Sequence, residues 1–103
     1  MLAGALLWAA AHAQIDLDCQ SPAAAKALIG QTMLSEIEGA EDISRAAMWE
    51  AFGRCDPGPD RPACVSQAQK RFESAWDREK AAIEMKYRRI LEEFEARCRS
   101  SPA

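Results

Sequence analysis

Residues 64–98, CVSQAQKRFESAWDREKAAIEMKYRRILEEFEARC, carry the pattern that decides the fold. From Ala63 to Ser100 there is neither proline nor glycine. Ala, Glu, Lys, Arg, Gln and Met dominate, the residues that lose least on entering a helix. Apolar side chains fall at Val65, Ala68, Phe72, Ala75, Trp76, Ala82, Ile83, Tyr87, Ile90, Leu91 and Phe94, in steps that keep them on one stripe. Two series recur every eleven residues, Val65/Trp76/Tyr87/Cys98 and Phe72/Ile83/Phe94. That period is about 3.67 residues per turn, close to an unsupercoiled helix, so one nearly straight amphipathic rod is expected. Trp76, Tyr87 and Phe94 are assigned to its core face.

The other face carries charges four residues apart, among them Lys80/Glu84, Glu84/Arg88, Arg89/Glu93 and Glu93/Arg97. Each such exposed pair adds only about 0.2–0.5 kcal/mol. Asp60 or Arg61 stands at the cap with Pro62 in the first turn, where a missing N–H does no harm. Arg97 and Arg99 sit at the favourable, C-terminal end of the helix dipole.

Immediately upstream, Asp56-Pro57-Gly58-Pro59-Asp60-Arg61-Pro62 is dense in turn residues and cannot be helical. It marks a hairpin loop over 55–62 between a first arm at about 22–54 and a second at about 63–99. Ser21-Pro22 opens the first arm as an N-cap followed by proline. Its candidate buried positions are Leu28, Ile29, Met33, Ile37, Ala40, Ile43, Ala47, Met48, Ala51 and Phe52. Gly30 and Gly39 each cost about 1 kcal/mol relative to alanine in a helix. A kink or break near Gly39 is expected, and a full reversal there would turn the hairpin into a three-helix bundle.

Cysteine spacing favours the hairpin. Cys19 and Cys55 bracket one arm and Cys64 and Cys98 the other, at nearly equal separations. Arms of that length, roughly 50 Å each at 1.5 Å per residue, bring Cys55 to Cys64 at the turn and Cys19 to Cys98 at the open end. The expected fold is therefore all-α: an antiparallel helical hairpin stapled by two disulfides. A four-thiolate zinc site needs two close cysteine pairs, which this chain lacks, and there is no Cys-x-x-Cys for thiol redox chemistry. The nested bridges resemble in topology the small twin-cysteine hairpin proteins of mitochondria, at much longer spacings.

At the start of the chain, Leu2–Ala13 is an apolar run ending in Ala11-His12-Ala13, the pattern of a secretory leader with a small-x-small cleavage site. The run is shorter than the roughly 20 residues a membrane span needs. No Lys or Arg precedes it. We expect cleavage near Ala13, a mature chain starting at Gln14 and a periplasmic or secreted protein, a compartment in which disulfides persist. Residues 14–103 then form a single small helical domain. His12 is the one histidine of the chain; its removal with the leader would exclude histidine-dependent catalysis and most metal sites.

The net charge of −3 gives no basic footprint for nucleic acid. Residues 14–54 hold three basic and seven acidic groups and residues 64–99 nine and seven, so the arms attract each other weakly. Glu36, Glu38, Glu41 and Asp42 form an acidic cluster without the spacing of a calcium loop, and Lys86, Arg88 and Arg89 a small basic patch; both read as solvated faces. No metal, cofactor or small-molecule substrate is expected, and no enzymatic constellation is found.

The function expected is protein–protein binding by an exported, non-enzymatic helical module. Trp49 lies off the first stripe and Met85 off the second, which makes them the candidate partner-binding residues. Ile83-Glu84-Met85-Lys86-Tyr87-Arg88-Arg89-Ile90-Leu91 resembles the leucine-x-x-x-tyrosine-x-x-leucine-leucine helix of small exported lysozyme-inhibitor-like proteins, with Glu84 where those have asparagine. The resemblance implies an inhibitor of a cell-wall-active or secreted enzyme. The alternatives are a membrane-associated coiled-coil spacer held by an uncleaved leader and a periplasmic chaperone-like binder. A homodimer is compatible with each.

Overall fold

The computed structural model describes residues 17–100. The expected leader and cleavage site lie outside the described residues. Two helices, α1 (Pro22–Gly53) and α2 (Arg61–Ser100), make an all-helical hairpin. The disulfides join Cys19 to Cys98 and Cys55 to Cys64, with Cα separations of 5.3 and 5.9 Å. These are the two pairs expected from the spacing, and no cysteine is free.

Local chemistry explains each boundary. Asp18 accepts the Gln20 N–H on its side chain at 2.9 Å and the Ser21 N–H on its carbonyl at 3.1 Å, a turn that delivers the chain to Pro22. The Ser21 carbonyl then takes the Ala25 N–H at 3.0 Å, the first bond of α1. At the far end the N–H groups of Arg54 and Cys55 donate three residues back, to Ala51 and Phe52, tightening the last turn. Gly58 has φ +140°, a conformation closed to side-chain-bearing residues, and its carbonyl accepts the Arg61 N–H at 3.2 Å. The Asp60 carbonyl accepts from Cys64, so α2 starts at Arg61, slightly earlier than expected.

Helix α1 runs through Gly30 and Gly39 without interruption. The chain does not reverse at Gly39, and the three-helix alternative is not formed. Two glycines at about 1 kcal/mol each are outweighed by a helix tied at both ends through disulfides and packed along its length.

The structure divides into two compact units. In unit one, residues 17–32 with 86–100, Ala25, Ile29, Tyr87 and Phe94 are buried. Arg97 donates to the Leu17 carbonyl at 3.0 Å, and Lys26 stands 3.7 Å from Glu95. That pair is roughly half exposed and contributes at most about 1 kcal/mol. In unit two, residues 33–85, the buried residues among those described are Cys55 and Ile83.

The burial pattern revises the two predicted stripes. Nine of the eleven positions on α2 are buried or half-buried, whereas Ala75 and Ala82 are exposed. On α1, Ile43 is 75% exposed and is not a core residue. The other nine predicted positions of α1 are buried or half-buried, and eleven-residue series run through its covered positions, Ala25/Glu36/Ala47, Ile29/Ala40/Ala51 and Met33/Ser44, the last continued by Cys55 just past the helix, matching the period of α2. On that period Ile43 falls to the flank of the seam. Two i,i+4 ion pairs on α1 are closed, Glu41–Arg45 and Glu50–Arg54, both at 2.7 Å.

Candidate functional site

Unit two carries a groove of about 190 Å³ between α1 and α2. Glu41, Ser44, Arg45 and Met48 form the α1 wall; Gln69, Phe72, Glu73 and Trp76 form the α2 wall. Steps of three and four place each set on one side of its helix, and the opposite chain directions bring Glu41 level with Trp76 and Met48 level with Gln69. Met48, Phe72 and Trp76 supply the apolar surface. Trp76, assigned to the core from its spacing, is half-buried and lines this groove.

The rims are polar and internally satisfied. An Arg45 Nη donates to Glu41 Oε1 at 2.7 Å on one side, and Gln69 Nε2 donates to Glu73 Oε1 at 2.9 Å on the other. Both arginine and glutamate of the first pair remain about half exposed, so either can exchange its partner for a group on an incoming molecule at little cost. The acidic cluster of the sequence is thereby divided: Glu41 belongs to the groove, Glu36 is half-buried along the seam, and Glu38 and Asp42 are exposed.

Trp49 follows Met48 and lies one turn beyond Arg45. It is 63% exposed, with its ring edge-on to Phe52 at 5.3 Å between centroids and 87° between planes. That contact fixes the indole while leaving much of it open to solvent. Met85 is 58% exposed but stands nine residues past Trp76, about two and a half turns, and so points away from the groove. Neither Trp49 nor Met85 lines the groove; Trp49 directly follows its lining residue Met48 in the chain. Leu34, not singled out from the sequence, and Ile43, assigned there to the buried stripe, are also exposed. The signal for Ile43 was its misfit to the eleven-residue register of α1, which a stripe made mostly of alanine obscures.

Neither cysteine of the turn bridge in unit two lines the groove. Cys55 is buried and Cys64 exposed, and Arg61 donates to the Cys55 carbonyl across the loop. Recesses near the two bridges measure about 250 to 320 Å³. Among the described residues no group of His, Cys, Asp and Glu is placed to hold a metal ion, and no helix is long and apolar enough to cross a membrane. Compared with protein-family models, with curated proteins and with solved structures, the chain matches none.

Proposed function

We propose that this chain is an exported, non-enzymatic binding module that holds a partner protein through the groove of unit two. The observation that carries this reading is the groove itself: an apolar surface of Met48, Phe72 and Trp76, bordered by ion-paired and hydrogen-bonded rims, with an exposed, ring-braced Trp49 following Met48 in the chain. An apolar centre within a polar rim, with a tryptophan anchor, is the anatomy of protein interfaces. At about 190 Å³ the groove is smaller than the roughly 300–1,000 Å³ of small-molecule sites and suits one or two side chains of a protein. Two disulfides that pair every cysteine support an oxidising compartment.

The partner we propose is a cell-wall-active or secreted hydrolase, which the protein inhibits by occlusion. The test adds the purified, oxidised protein to a lysozyme digesting cell-wall suspensions. Inhibition that Met48→Glu and Trp49→Ala each weaken by about thirtyfold or more, as loss of an interface hot spot requires, is the expected result. Undiminished lysis across a panel of such hydrolases refutes the inhibitor reading. Binding spread over many unfolded chains would favour a chaperone-like role instead, and a membrane-bound chain retaining Leu2–Ala13 would favour an anchored spacer.

A further inference from the structure

We infer, resting on the reading of the unit-two groove as a protein-binding site, that the groove receives an arginine side chain from the surface of the partner protein, its guanidinium held at the Trp76 ring by Glu73 and Glu41. Two observations select a cation. The first is Glu73, a groove-lining carboxylate whose charge nothing balances. Its partner is the neutral Gln69 amide, which donates to Oε1 at 2.9 Å, and among the described residues no lysine or arginine pairs with it. The second is the pair of half-buried rings beside it, Phe72 and Trp76. The cation–aromatic contacts of the described residues lie in unit one, Lys86 with Tyr87 at 5.0 Å and Arg97 with Phe94 at 5.9 Å, so neither groove ring carries a cation of its own.

Placement makes ring and carboxylate act together. Glu73 and Trp76 are three residues apart on one face of α2, and Glu41 stands level with Trp76 across the groove, so a cation over the indole has a carboxylate on each side. The Glu41–Arg45 pair is about half exposed and opens to a second guanidinium at little cost. The surrounding charge has the same sign. Residues 36–45 of α1 hold four acidic groups and one basic, a net of −3, while the facing residues 69–77 of α2 hold two of each. The two basic groups there, Lys70 and Arg71, do not line the groove, and Arg71 lines the recess at the turn bridge instead. Met48 and Phe72 offer apolar surface to a methylene stem. Arginine fits better than lysine because its planar, weakly hydrated guanidinium stacks on a ring while donating to two carboxylates. An arginine within a chain also brings no free carboxylate into this negative field, which selects a protein's side chain over the free amino acid.

Titration of the isotope-labelled, oxidised protein with N-acetylarginine methylamide, followed by NMR at the Trp76 indole and Met48 methyl signals, tests the inference. Saturable shifts of both are expected below about 10 mM, a range in which even weak binding registers. The citrulline analogue, equal in shape but neutral, should bind about tenfold more weakly, as loss of a charge-assisted hydrogen bond requires, and Glu73→Gln should weaken arginine binding by about as much. Glu38→Gln, which removes an exposed acid outside the groove, should leave it unchanged. Far-UV circular dichroism establishes that each variant keeps its helices. Absence of shifts with the arginine probe overturns the inference, as does a citrulline, lysine or leucine analogue that binds as well, or an undiminished response in Glu73→Gln. Free arginine binding more tightly than the blocked form overturns the protein as its source. The probes are not hydrolases, so the two readings fail separately. Arginine binding without hydrolase inhibition keeps this inference and refutes the inhibitor, whereas inhibition lost in Met48→Glu but unaltered in Glu73→Gln does the reverse.

Discussion

Opening the Cys19–Cys98 bridge should cost more than opening Cys55–Cys64, although the second holds the turn of the hairpin. The perturbation is a pair of double substitutions, Cys19→Ala with Cys98→Ala and Cys55→Ala with Cys64→Ala. The bridges close sequence separations of 79 and 9 residues. In the chain-entropy treatment these restrain the unfolded chain by about 4.5 and about 2.6 kcal/mol respectively. The outer loss also frees residues 17–21, whose Leu17 carbonyl is held by Arg97, and loosens unit one around Ala25, Ile29 and Phe94. The inner loss leaves Arg61 bonded to Cys55 across a loop that Gly58 already turns. Urea unfolding followed by far-UV circular dichroism measures both. Against a typical total of about 5–15 kcal/mol, the outer variant should lose a large share of its stability and melt on the order of 20 °C lower. Equal losses, or a larger loss from the inner pair, would refute the reasoning that loop length governs the order.

Phe94, 3% exposed and packed in unit one, should lose about 3 kcal/mol as Phe94→Ala, from the emptied volume and lost apolar burial; a melt within 1 kcal/mol of wild type, as a surface substitution would give, contradicts its place in the core. Gly58→Ala should destabilise by about 1–3 kcal/mol because of backbone conformation alone, since an added Cβ meets no neighbour. Gly30→Ala should do the opposite and raise stability by about 0.4–1 kcal/mol, because the helix passes through Gly30 with open space for a methyl group; both are read from the same urea melts. Lys26→Ala should change stability by less than about 1 kcal/mol, the measure of a half-exposed ion pair with Glu95.

The features legible in the sequence were those set by backbone punctuation and by covalent reach. Pro57, Gly58 and Pro59 interrupt the helix, Pro62 is confined to a first turn, and two arms of nearly equal length leave one pairing of the four thiols. The apolar stripe of α2 was legible because Phe72, Ile83, Tyr87 and Phe94 are bulky and recur every eleven residues. The matching period of α1 was hidden, since its slots hold Glu36, Ser44 and several alanines that carry little hydropathic contrast. For the same reason Ile43 looked like core. Gly39 suggested a break because local propensity says nothing of a helix tied at both ends. The groove combines residues more than twenty positions apart, and only the antiparallel register brings Met48 to Phe72 and Trp76. Trp49 was identified from its departure from the stripe; its brace against Phe52 required coordinates.

The proposed export and the stapled hairpin are tested together by intact mass and a non-reducing peptide map of the protein expressed with its own leader and recovered from the periplasm. A chain beginning at Gln14, with Cys19 linked to Cys98 and Cys55 linked to Cys64, is the result we predict. Reduced thiols on a chain that still begins at Met1 would contradict the compartment, and with it the binding role that rests on an exported, disulfide-clamped scaffold.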